Sequence, residues 1–90
     1  DKQIGRKLTI GTDYNGLGKL QYLIAKDALT TIESVYTEKV ELILMVPKEK
    51  EQSFEKEVTE ATSGNADISW GDEVLYAMVE KNLKIFGKNA

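Results

Sequence analysis

Asn15-Gly16-Leu17-Gly18-Lys19 is the stretch closest to a chemical motif in this 90-residue chain. Two glycines and a lysine at a helix start can aim backbone N–H groups at an anion, with Lys19 adding charge and Arg6 or Lys7 close enough along the chain to join it. The stretch has neither the full spacing of a phosphate-binding loop nor the Ser/Thr after its lysine, so a plain strand-to-helix turn explains it better. Asp13, beside Tyr14, reads as the turn and cap residue of the same helix. Glu49, Glu51, Glu55, Glu57 and Glu60 interleave with Lys48, Lys50 and Lys56, as on a solvated helix face rather than in an acid/base pair or a cation site. The chain has no cysteine and no histidine, which removes disulfides, thiol nucleophiles, the usual zinc ligands and imidazole bases together. No catalytic set, no metal site and no cofactor is expected, and the chain is not expected to be an enzyme.

Charge is the next signal. The net charge is −3, yet residues 1–26 hold five bases against two acids (+3), and residues 27–90 hold seven against thirteen (−6). Arg6, Lys7, Lys19 and Lys26 are therefore the candidate contacts for an anionic or nucleic-acid partner. No apolar run approaches the ~20 residues that cross a bilayer, so no membrane role is expected. A chain that begins at Asp1 is expected to be a piece of a longer protein.

These residues need a frame. Arg6–Thr12 alternates, with Leu8 and Ile10 on one face, and predicts a strand. Leu17, Leu20, Ile24 and Ala28, widened by Leu23, form a helical stripe from which Lys19 and Lys26 face away. Thr30–Thr37 is β-branched, and Val40–Val46 is apolar enough for the middle of a sheet. A three-residue hairpin between them sets Tyr36 opposite Val40, Ser34 opposite Leu42 and Ile32 opposite Leu44. Phe54, Val58 and Ala61, bounded by Pro47 and Gly64, predict a second helix. Ala66, Ile68 and Trp70 alternate as a short last strand.

The order β-α-β-β-α-β predicts an α+β, ferredoxin-like domain over residues 1–72, with an antiparallel sheet in the order 4-1-3-2 and both helices on one face. Tyr36 and Trp70 are assigned to that covered face. The other face is expected to carry Lys7, Thr9, Gly11, Glu33, Val35, Glu41, Ile43, Met45 and Asp67. It holds no ring on which a base could stack, and its acids repel phosphate. In residues 73–90, Leu75, Met78, Val79 and Phe86 fit an extra helix, the expected form, while Leu83-Lys84-Ile85 fits an extended segment equally well; either needs somewhere to bury.

Leu8-Thr9-Ile10…Asp13-Tyr14, Gly18-Lys19-Leu20-Gln21-Tyr22-Leu23, Tyr36-Thr37-Glu38-Lys39-Val40, Val46-Pro47, Phe54 and Thr62-Ser63-Gly64 together resemble the C-terminal domain of the IMPACT/YigZ family. The match runs over about residues 6–70, with Asp13, Tyr14, Gly18, Lys19 and Tyr36 among its positions. That domain is similar to the last domain of elongation factor G and follows a domain resembling part of ribosomal protein S5. The resemblance implies a cytoplasmic, translation-linked protein with this chain as a non-catalytic accessory domain. RNA or the ribosome and the N-terminal domain of the same protein are the partners it implies. The competing expectation is a protein-interaction module, using the sheet edges, the apolar outward residues Val35, Ile43 and Met45, and homo-oligomerisation through residues 73–90.

Overall fold

Leu8, Ile10 and Thr12 are buried while Lys7, Thr9 and Gly11 are not, so the first strand shows the period of two written in its sequence. The computed structural model describes residues 2–88. Its elements are β1 (Gln3–Thr12), α1 (Tyr14–Lys26), β2 (Thr30–Tyr36), β3 (Val40–Pro47), a single 3-10 turn (Lys48–Lys50), α2 (Glu51–Ala61), β4 (Asp67–Val79) and β5 (Asn82–Lys88). Two helices cover one side of a five-stranded antiparallel sheet in the order β2-β3-β1-β4-β5. Among the described residues no helix is long and apolar enough to cross a membrane.

The core lies between the helices and the inner face of the sheet. Leu8 and Ile10 from β1, Val40, Leu42, Leu44 and Val46 from β3, Leu20 and Leu23 from α1, and Phe54 and Val58 from α2 form one buried cluster. The α1 stripe ends before Ala28, which has a φ of 54° and lies past the C-cap at Asp27.

Three expectations are corrected. The sheet has a fifth strand: read from its far end the order is 5-4-1-3-2, so β4 lies inside the sheet and β5 takes the edge. Residues 73–88 are not helical. β4 runs unbroken from Asp67 through position 72 to Val79, and a two-residue turn at Glu80-Lys81, both at positive φ, returns the chain as β5. Residues 89 and 90 of the expected extension, like Asp1, lie outside the described residues. β1 offered an unpaired edge to residues 67–76, and that ladder outweighs the helical spacing of Leu75, Met78 and Val79. The third correction is a bulge in β2. Tyr36 opposes Val40 and Ser34 opposes Leu42 as expected, but Ile32 is the extra residue, and Thr31 takes its place opposite Leu44.

The sheet also coils. Gly71 and Asp72 together face Lys7, a bulge that restarts the alternation and puts Val74, Tyr76 and Met78 on the outer face. Tyr76 lies against Gly5: a Cβ on Gly5 would sit 2.7 Å from its ring and 2.5 Å from the Val46 carbonyl oxygen. Its hydroxyl donates to Gln3 Oε1 at 3.0 Å. Farther along, the Thr30 hydroxyl donates to Met78 Sδ at 3.6 Å. Thr30 and Met78 belong to strands separated by two others, so the β4–β5 hairpin must curl over the outer face. Met45, expected to be exposed on that face, is 1% exposed, and Tyr76 is 5% exposed.

A candidate docking surface on the open sheet face

The four candidate basic contacts do not converge. Arg6 and Lys7 are consecutive in β1 and point to opposite faces. On the helix side the Arg6 guanidinium donates from Nε and Nη2 to Glu51 Oε1, at 3.1 and 2.8 Å. It also lies 5.1 Å from the centroid of the Trp70 ring, whose Nε1–H donates to Glu55 Oε1 at 2.6 Å. Hydrogen bonding to Glu51 raises the Arg6 pKa further, so this charge is fixed and already matched. The Glu51 side chain is only 12% exposed, and its second oxygen has no hydrogen-bond partner among the described residues, so Arg6 is the group that makes its burial tolerable. Trp70 lies on the helix side, as expected, packed against the core.

Lys26 is ion-paired with Glu57 of α2, which raises the lysine pKa. Lys7, on the outer face, and Lys19, on α1, are exposed and have no ion pair among the described residues. Lys19 borders a hollow of about 180 Å³ shared with Thr12, Asp13, Asn15, Thr62 and Ser63.

Asp13 is the N-cap of α1, and its Oδ1 accepts the Gly16 N–H at 2.8 Å. An anion at this helix start would compete with a carboxylate already in place. A Cβ on Gly16 would sit 2.2 Å from Thr12 Oγ1, so a larger residue there forces the Thr12 side chain to turn away. The Tyr14 hydroxyl donates to the Thr37 carbonyl at 2.5 Å, tying α1 to the turn between β2 and β3. Gly18 faces open space. Tyr36 is on the face assigned to it, opposite Val40, but is 53% exposed rather than core. Asp13 and Tyr14 thus fasten the start of α1, with Tyr36 next to the residue Tyr14 holds.

The uncovered part of the outer face is at the opposite end from the curled hairpin. A trough of about 400 Å³ is lined there by Thr9, Gly11, Val35, Glu41, Asp67 and Ser69, with Lys39 at its rim. Glu33, Glu41 and Asp67 all share this face, by pairing with Ile43, Val35 and Gly11. None of the three has an ion pair among the described residues. Helix-side carboxylates contrast with them: Glu51, Glu57 and Glu73 pair with Arg6, Lys26 and Lys48. Beside the trough, β2 is an edge. Its backbone has hydrogen bonds only to β3 among the described residues, and six of its seven residues are exposed. Among the described residues no three carboxylates gather closely enough to hold a metal ion.

Alternation along the strands foretold which residues face outward at the trough. It could not foretell the end of the outer face where Tyr76 and Met45 are buried. The available signal was the alternating set Val74, Tyr76, Met78 and Leu83, Ile85, which competed with a helical spacing of the same apolar residues.

The sequence profile of a family described as a domain of unknown function, DUF1949, matches residues 10–65. No curated protein matches the chain. The matched span includes the end of β1, α1, β2, β3 and α2, and stops two residues before β4.

Proposed function

The chain belongs to the DUF1949 family, and we propose that it serves there as a non-catalytic docking module, the C-terminal domain of a cytoplasmic, translation-linked protein of the IMPACT/YigZ kind. In this reading its first four strands and two helices are a ferredoxin-like unit, and β5 is an addition at the edge. The observation that carries it is the unroofed end of the sheet, where a trough adjoins an edge strand and carboxylates that, among the described residues, have no further strand and no ion pairs. A surface with those properties suits a polypeptide partner better than a phosphate backbone.

The nucleic-acid reading keeps one supporting observation, the exposed Lys7 and Lys19, which have no ion pair among the described residues. Against it, Arg6 and Lys26 are already neutralised. Crosslinking capture with the natural protein that carries this domain separates the two. Captured protein, unchanged when Lys7 and Lys19 are both replaced by Glu, is the expected result. Salt-sensitive capture of RNA that is lost with those replacements would overturn it in favour of RNA. Capture of a second copy through the exposed Met78, Val79, Ile85 and Phe86 would overturn it in favour of self-association.

A further inference from the structure

We infer that the free edge of β2 takes an extended, basic segment of a partner protein as an added strand, with lysines or arginines alternating with apolar residues. This deepens the docking reading and rests on it.

Two strands end the sheet, and they are finished differently. β5 carries Lys84 and Lys88, a register shift at Phe86, and Gly87 at a φ of 133°, all features that discourage further pairing. β2 has no lysine and no proline, and past its bulge at Ile32 the run Glu33–Tyr36 is a regular ladder against β3. Its outward backbone groups are therefore ready for a partner strand.

The side chains select the partner's chemistry. On the outer face a new strand would lie beside Glu33 and Val35, with Glu41 one strand further in, and Glu33 and Glu41 have no cation of their own among the described residues. On the helix side it would lie beside Tyr36. Successive residues of an added strand alternate between these faces, so cationic and apolar side chains must alternate as well. A second copy of β2 does not fit this requirement. Antiparallel pairing about Glu33 or Ser34 sets the two Glu33 carboxylates opposite or diagonal to each other.

The test titrates the 90-residue chain with an alternating Lys/Val peptide, following backbone amide resonances and hydrogen exchange. Saturable binding is expected, with shifts and new protection confined to residues 31–36 and the trough. Glu33→Lys with Glu41→Lys should weaken it about tenfold. Both side chains are exposed and make no ion pair among the described residues, so the variant should melt with the parent. Methylation of alternate peptide nitrogens should abolish binding, and a sequence-scrambled peptide should bind at least tenfold more weakly. Equal binding of the methylated peptide, protection at β5 instead of β2, no saturable binding, or a concentration-dependent dimer that protects β2 without peptide would each overturn the inference. A protein partner captured by the natural protein whose footprint avoids β2 would remove this inference and leave the docking reading standing. If no protein is captured, both fall.

Discussion

The two faces of the sheet are built to different standards. The helix face is dry and closed: ten apolar residues form one cluster, and Arg6–Glu51 and Lys26–Glu57 tie strand to helix and helix to helix. The outer face is divided. At one end Tyr76 and Met45 are as buried as core residues under the curled hairpin, and at the other Glu33, Glu41 and Asp67 face solvent around a trough. Stability concentrated on one side lets the other keep polar, unpaired groups that a second core would exclude.

That contrast can be tested from its strongest side down. Phe54→Ala should cost about 3–5 kcal/mol, read as a lower midpoint of chemical unfolding, because Phe54 is fully buried between α2 and the sheet. A small loss would mean that the helix face is not the main reservoir of stability. Gly5→Ala, at the closed end of the outer face, should cost about 1–3 kcal/mol. Adding Tyr76→Leu should not restore it, since the nearer obstacle is the Val46 carbonyl oxygen at 2.5 Å, part of the backbone. A neutral Gly5→Ala would show that the closed end is looser than the helix face. The smallest effect concerns Glu57, whose pKa is lowered chiefly by the hydrogen bond from Lys26 and then by one with Asp27. A depressed carboxyl pKa contributes stability above the unfolded-state value, and that contribution is lost as pH falls through the folded-state value. Asp27 works in the opposite sense, raised first by burial and then by Glu57. Lys26→Met should therefore move the titration of Glu57 upward, as followed by carboxyl NMR, and soften the acid-side loss of stability. An unmoved titration would take this ion pair out of the helix-face ledger.

Most of this architecture was legible in the residues. Period-two alternation in β1 and β3, helical spacing at Leu17-Leu20-Ile24 and at Phe54-Val58-Ala61, and Asp13 as a cap are all local signals, and each survives in the fold. What failed was decided at a distance. Glu80-Lys81 forms a two-residue turn with both φ angles positive, but lacks the Asn-Gly or Asp-Gly pair that announces one, so the β4–β5 hairpin left no mark at its tip. Ile32 looked like a core residue until a bulge moved it out of register. The candidate site divides in the same way. Outward residues at the trough followed from alternation, whereas the pairing of Arg6 with Glu51, 45 residues away, depends on how α2 crosses the sheet. A run of basic residues in sequence says nothing about which of them a fold will spend on its own carboxylates.

β1 comes first in the chain and in the middle of the sheet, and its neighbours arrive late. Gly5 pairs with Pro47 on one side, and Gln3 pairs with Tyr76 on the other, joined again through a hydrogen bond across 73 positions. During synthesis the segment to be flanked on both sides thus leaves the ribosome before either of the strands that flank it and must wait, bare, for them to follow. Its spacing of Arg6, Lys7 and the glycines at 5 and 11 among the apolar residues suits that interval, since charge and glycine both slow the sticking of an unaccompanied strand.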